Sequence, residues 1–310
     1  FMLILLVCLW GLIFPIVSEL FTGQKVTFGP PWYERITGPL FAALLLLMGV
    51  APLSAWGHST VKTLGRAMWK PAIVSVAVLA VALASGVRSV GALIGFWLVG
   101  FVIAITLYDY GRAIWARHKR SHEPLPVAFW NLVGRNRRRY GGYIIHLGIV
   151  LMALGIIGIE MFQTETQGTL KTGESLSLSG YTVTFRSLAE WNNPDGRNIA
   201  RAVVDVSKDG RSLGQLAPRR DFYFDAQQSM TIPGVRSTME DDLYLLLVDW
   251  EEFNSNQATL KLFHNPLINW LWVGSFVLIL GMLVAAWPDQ EPEAAVQRAV
   301  QKANGRAIAE

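Results

Sequence analysis

Apolar positions fall into six long runs with short polar links between them, and one long polar stretch interrupts the series. The runs occupy residues 1–20, 36–56, 71–87, 90–108, 141–161 and 266–287. An α-helix needs about 20 apolar residues to cross the hydrocarbon of a bilayer, and each run approaches or reaches that length. Pro39 and Pro52 lie in the second run, which spanning helices tolerate. The third and fourth runs meet at residues 86–89 and predict a tight antiparallel hairpin with Arg88 at the outer surface. Residues 124–132 mix Pro, Phe and Trp ahead of a basic run. They suit either a short helix lying on the inner membrane face or a plain basic stop signal.

The stretch 162–263 differs in kind. It is polar, and its short apolar segments alternate: Tyr181 to Phe185, the β-branched Ala202 to Val206, Leu243 to Trp250, and Ala258 to Phe263. Turn signals separate them at residues 192–196, 209–210 and 233–234. About 100 residues of this pattern predict a small sandwich or open barrel. The predicted fold is a mainly α membrane protein of about six transmembrane helices, with a small all-β extracytoplasmic domain inserted between the fifth and sixth. The expected divisions are a five-helix region at 1–161, the β-domain at 162–263, the last helix at 264–288 and a cytoplasmic tail at 289–310.

Charge orients these elements. The link between the second and third runs carries Lys62, Arg66 and Lys70. The link between the fourth and fifth carries Arg112, Arg117, Lys119, Arg120, Arg135, Arg137, Arg138 and Arg139 against the single acid Glu123. Short loops rich in Lys and Arg stay on the cytoplasmic side. Both links are therefore expected inside, the loop of residues 21–35 and the β-domain outside, and the tail inside.

Composition agrees. Apolar residues make up 52% of the 310 and charged residues 16%, against roughly 25% charged in soluble proteins. Mean hydropathy is +0.35 and the formal net charge +4. These values argue against a soluble enzyme and exclude a disordered chain. The single cysteine, Cys8, excludes an intrachain disulfide, a Cys-pair metal site and a CxxCH haem attachment within this chain. The chain opens on Phe1, already at the edge of an apolar run and without a charged leader, and reads as the continuation of something longer. No repeat, P-loop or GxGxxG occurs, and no nucleic-acid partner is expected.

Five histidines are present: His58, His118, His122, His146 and His264. His146 alone falls well inside a predicted span, seven residues after Arg139, or about 10 Å along the helix. An ionisable side chain at that depth needs a partner. It can pack and hydrogen-bond, shuttle a proton, or ligate a metal such as haem iron. As a haem ligand it would need its second axial partner from outside this chain. Gly141, Gly142 and Gly148 thin the same helix, which suits a neighbouring helix or a flat cofactor. Arg137, Arg138 and Arg139 are candidate contacts for haem propionates, with the positive-inside signal as the alternative. The run Glu240-Asp241-Asp242 reads as a solvated turn. Tryptophans 32, 56, 69, 115, 270 and 287 lie near predicted helix ends, where interfacial anchoring accounts for them. Nothing resembles a Ser-His-Asp constellation or a glycosidase acid pair.

Four ordered stretches resemble one family. Residues 136–148 (NRRRYGGYIIHLG) look like the histidine-bearing helix of CcmF, the haem lyase subunit of bacterial cytochrome c maturation. Residues 26–33, 230–244 and 265–274 resemble a loop, a stretch of the periplasmic domain and the start of the last helix of that family. The resemblance runs across nearly the whole chain. It implies a multi-pass protein of the bacterial inner membrane. Its partners would be CcmH- and CcmI-type subunits, the haem chaperone CcmE and apocytochrome c, with lipid around it. It implies attachment of haem to CxxCH cysteines, and a membrane haem b that draws electrons from quinol and reduces the incoming haem. By this match His146 is one axial ligand of haem b. The family's tryptophan-rich haem-docking segment has no counterpart, for no two tryptophans are adjacent. That segment, its flanking histidines and the second membrane ligand belong to the family's N-terminal half. A C-terminal fragment or split-gene product is expected, unable to hold haem b with both ligands or to attach haem alone. Two other readings stand beside it: a paralogue dedicated to one cytochrome, such as a nitrite reductase, and a non-catalytic scaffold whose β-domain binds maturation partners. A transporter is disfavoured, because no span except the fifth carries a mid-membrane charge or histidine.

Overall fold

The computed structural model describes residues 1–53, 61–250 and 256–288. The expectations placed on Trp56, His58 and the tail fall outside the described residues. The chain divides into a helical unit, residues 1–150 with those from Gly274 onward, and a second unit, Leu151–Val273.

In the helical unit α1 is Met2–Thr22 and α2 is Pro30–Val50, followed by a 3-10 turn at Ala51–Leu53. The second helix starts six residues before its apolar run because Pro30 and Pro31 occupy the first turn, where the missing N–H costs nothing. Next come α3, Val61–Ala84, α4, Val90–Ser121, and α5, Leu125–Arg135. Two further helices, α6 at Arg137–Phe162 and α7 at Asn269–Ala286, each run from one unit into the other. Five described helices, α1, α2, α4, α6 and α7, are long and apolar enough to cross a membrane, so the protein is a multi-pass membrane protein. The third expected span is the exception: the apolar part of α3, Met68–Ala84, falls short. It forms the expected hairpin with α4 all the same. Gly86 turns the chain at φ +91°, and a Cβ on Gly100 would come within 2.9 Å of Val78. At 32 residues α4 is about 48 Å long. It therefore outlasts the hydrocarbon by several turns, and those turns carry its basic residues.

The second unit holds two antiparallel sheets. One has the order β1-β10-β9-β8, formed by Thr164–Lys171, Gln257–Pro266, Asp241–Trp250 and Gly234–Ser237. The other runs β2-β3-β4-β6-β7: Ser175–Leu178, Tyr181–Asn193, Arg197–Lys208, Arg219–Tyr223 and Gln228–Ile232. A short β5, Arg211–Leu216, also pairs with β4. Alternate residues of four strands make the core: Val183 and Phe185, Val204 and Val206, Leu243 to Leu247, and Leu260 with Leu262. This is the period-two burial of sheets packed face to face. The last strand continues to Pro266, three residues beyond the expected edge, and Leu267, at φ +62°, turns the chain into α7.

Candidate functional site

His146 lies on the face of α6 that it shares with Arg139, Gly142 and Tyr143, at helical spacings of three, four and seven. The opposite face carries Gly141 and Gly148, and these are packing positions. A Cβ on Gly141 would meet the Ala285 backbone of α7 at 2.6 Å, and one on Gly148 the Leu278 nitrogen at 2.5 Å. Gly281 of α7 reciprocates against Ile145. The thin region of α6 thus has two sides. Gly141 and Gly148 let α7 approach, whereas Gly142 has nothing within 4 Å of where a Cβ would sit.

The imidazole is not consumed by the fold. Nδ1 of His146 is buried and has no hydrogen-bond partner among the described residues, a costly state for a polar atom. The ring of Tyr143 lies 6.5 Å away, centroid to centroid. Tyr143 donates its hydroxyl to Asp109 of α4, and Arg139 pairs with the same carboxylate at 3.2 Å. Tyr110 donates to the Tyr140 carbonyl at 2.6 Å, and the rings of Tyr110, Tyr140 and Tyr143 touch one another. An imidazole with no hydrogen-bond partner on Nδ1, beside a glycine with open space around it, has donor chemistry of the kind haem iron takes. Of the candidate propionate contacts, Arg139 is brought to Asp109 and Tyr143, and Arg138 is exposed. The described residues contain no group of three or more His, Cys, Asp or Glu able to hold a metal ion. Asp109, Tyr110 and Tyr143 were not singled out from sequence. An acid closing an apolar run, and tyrosines one turn before the histidine, were the available signals.

In the second unit the acidic run departs from expectation. Asp241 is not a solvated turn residue but is 6% exposed. Its Oδ1 accepts from Tyr181 at 2.8 Å and Thr238 at 3.0 Å, and its Oδ2 from Lys208 at 2.7 Å. His264 Nε2 stands 3.1 Å from Oδ2 and must be the donor, since an ionised carboxylate only accepts. Burial alone would raise this carboxyl, but the hydrogen bonds from Lys208, Tyr181, His264 and Thr238 outweigh it and hold it at about 2. His264 is accordingly a strand residue of β10, not the helix-end residue expected. Two further bonds bind this turn to the start of α7: Asn269 to the Thr238 carbonyl at 2.6 Å, and the Leu267 N–H to the Glu240 carbonyl at 2.8 Å. At the end of β9 away from α7, a cleft of about 530 Å³ opens between Trp250, Arg220, Phe222 and Phe224. Trp250 donates to Glu190 there, and Arg220 to the Val248 carbonyl.

Residues 161–266 match the family model described as the CcmF C-terminal beta-sandwich. Over 302 residues the chain is 28% identical to the cytochrome c-type biogenesis protein CcmF of Pseudomonas fluorescens, covering 97% of this chain and 44% of that protein. It is 25% identical over 290 residues to CcmF of Escherichia coli K12, covering 90% and 41%. It is also 25% identical over 280 residues to the biogenesis protein NrfE of Haemophilus influenzae, covering 89% and 41%. A solved structure titled cytochrome c heme lyase CcmF shares the fold, with a TM-score of 0.72 at 23% identity over 91% of this chain and 43% of that one. The chain spans less than half the length of the curated relatives it matches.

Proposed function

We propose that the chain is the C-terminal part of a CcmF-family protein and serves cytochrome c-type biogenesis as a membrane component of a haem lyase. The reaction is attachment of haem to the CxxCH cysteines of apocytochrome c through thioether bonds. The partners are CcmH- and CcmI-type subunits, a CcmE-type haem chaperone, and polypeptide corresponding to the rest of a CcmF-length protein. The β-domain faces the periplasm and the C-terminus the cytoplasm, in keeping with the basic links.

One observation carries the haem reading: a histidine inside a membrane-crossing helix, with a buried, unpartnered Nδ1, beside a glycine that opens onto free space. His146 would be this chain's ligand to the iron of a haem b, and a second ligand would come from outside this chain. When bound, that haem supplies a one-electron relay from quinol to the incoming haem iron. Tyr143, whose ring neighbours that of His146, donates to Asp109, and Arg139 pairs with the same carboxylate, so the charge on that carboxylate is compensated. Arg137 and Arg138, at the start of the same helix, are the guanidinium groups proposed for haem carboxylates.

The test is a dithionite-reduced minus oxidised spectrum of the purified protein, co-expressed with the N-terminal part of a CcmF relative, with and without His146→Ala. A low-spin b-type signal lost in the variant is expected. An unchanged signal would remove His146 from the iron, and no haem in any sample would favour a scaffold. Because NrfE and the Escherichia coli CcmF are equally identical to this chain, service to a single dedicated cytochrome is the variant reading. Co-expression with different CxxCH substrates separates the two.

A further inference from the structure

The helix α5 is eleven residues long, and its apolar side chains are only partly used. Ala128 is fully buried, and Phe129 lies 6.0 Å from Tyr110 of α4, so one side packs back on that helix. Leu125, Pro126, Phe129, Trp130 and Val133 occupy an arc of about 140° on the helical wheel. Most of that arc is open: Trp130 is 77% exposed and Leu125 44%.

The level of this arc follows from what it packs against. The apolar stretch of α4 ends at Tyr108, and Asp109 and Tyr110 follow. Tyr110 also contacts Tyr140, where the apolar stretch of α6 begins. Although α4 continues for three more turns, α5 folds back and places Phe129 beside Tyr110. It therefore lies at the height where two hydrocarbon-length stretches end, not beyond it.

Cations flank it in sequence. Between Asp109 and Tyr140 the chain carries eight Arg and Lys residues and two acids, Asp109 and Glu123. Both acids are already paired, Asp109 with Arg139 and Glu123 with Arg117. Lys119, Arg120, Arg135 and Arg138 are exposed. An exposed apolar arc with a tryptophan, at the hydrocarbon boundary and flanked in sequence by cations, with both acids of residues 109–140 already paired, is complementary to one surface. We infer that α5 and its flanking cations form an interfacial seat for anionic phospholipid, the apolar arc entering the acyl boundary and Arg120 and Arg135 meeting the headgroup phosphates. This inference is independent of haem.

The test uses the full chain in nanodiscs of phosphatidylcholine, with or without phosphatidylglycerol. In a Cys8→Ser background, nitroxide labels on Trp130→Cys and Asn131→Cys report collision with oxygen or with a water-soluble nickel chelate. The expected result is a label at 130 that meets oxygen and is shielded from nickel once phosphatidylglycerol is present, and a label at 131 that meets nickel. Leu125→Cys repeats the reading with Trp130 in place. With Arg120→Gln and Arg135→Gln, preference for spin-labelled phosphatidylglycerol over phosphatidylcholine should fall roughly fivefold per cation removed. Nickel access at 125 and 130 in every disc would overturn the seat. Identical behaviour with and without phosphatidylglycerol would overturn its anionic selectivity.

Discussion

Asp241→Asn is the sharpest perturbation of the second unit. Asn keeps an acceptor for Tyr181 and Thr238, but it loses the charge that Lys208 approaches at 2.7 Å and can turn an NH₂ toward that ammonium. The magnitude follows from the carboxyl itself, which is held at about 2 against an ordinary 3.8. At 1.36 kcal/mol per pK unit, that preference for the charged form is about 2 kcal/mol of folding stability. Breaking a fully buried pair can cost about 3–5 kcal/mol, but Lys208 is 31% exposed and regains water when released. The lower figure therefore applies. It corresponds to about a 30-fold drop in protection against hydrogen exchange, read by mass spectrometry on peptides of β9 and β10 in the full chain. The pH dependence has a definite sign. A depressed carboxyl contributes its stability fully above the unfolded value, and the contribution disappears as pH falls through the folded one. Thermal unfolding of the wild type and Asp241→Asn should thus differ at neutral pH and converge near pH 2. A change in protection below about threefold, roughly 0.6 kcal/mol, or a gap that persists into strong acid, would refute this account of the carboxylate.

Three further outcomes are expected. Gly148→Ala places a Cβ 2.5 Å from the Leu278 backbone; backbone cannot rotate aside, so thermal unfolding in detergent should show a loss of about 1–3 kcal/mol. Gly142→Ala, with nothing within 4 Å, should hold or raise stability by up to about 1 kcal/mol through helix propensity, while lowering haem content in co-expressed protein. Tyr181→Phe removes one donor from the buried carboxylate and should cost about 1.5–3 kcal/mol, measured by the same exchange experiment.

What could be read in advance depended on whether the information was local. The helices were legible because a bilayer-length apolar run is a property of consecutive residues, and the predicted and observed spans differ mainly where prolines or basic turns extend them. Strands β3, β4, β9 and β10 were legible because they are the core-lining ones and alternate cleanly. The strands at or near the sheet edges were not. In β7 four of five residues are exposed, which leaves no period for burial to impress on the sequence. His146 stood out because its position within an apolar run is itself the anomaly. Its companions Asp109 and Tyr143 did not, because they meet only when α4 and α6 pack together.

The Asp241 cluster shows the limit most clearly. Three adjacent acids look solvated when read along the chain, since Lys208 and Tyr181, which meet Asp241, are remote in sequence and the nearer Arg236 bonds to the Leu213 carbonyl instead. Lys208 and Tyr181 arrive as a directly paired couple on β4 and β3, in the opposite sheet. Pro266 is the register partner of Asp241 itself, and His264 is the partner of Leu243 two residues on. The carboxylate thus ties the two sheets together at the end from which α7 departs. The residues around it, 230–244 and 265–274, are two of the stretches that carry the resemblance to CcmF, and the Thr238–Asn269 and Glu240–Leu267 bonds join them. That junction gives both stretches a structural role. Substitutions at Asp241 or Asn269 should therefore act through stability, whereas substitution of His146, whose Nδ1 contributes no bond within the described residues, should act on cofactor content while leaving the fold nearly untouched.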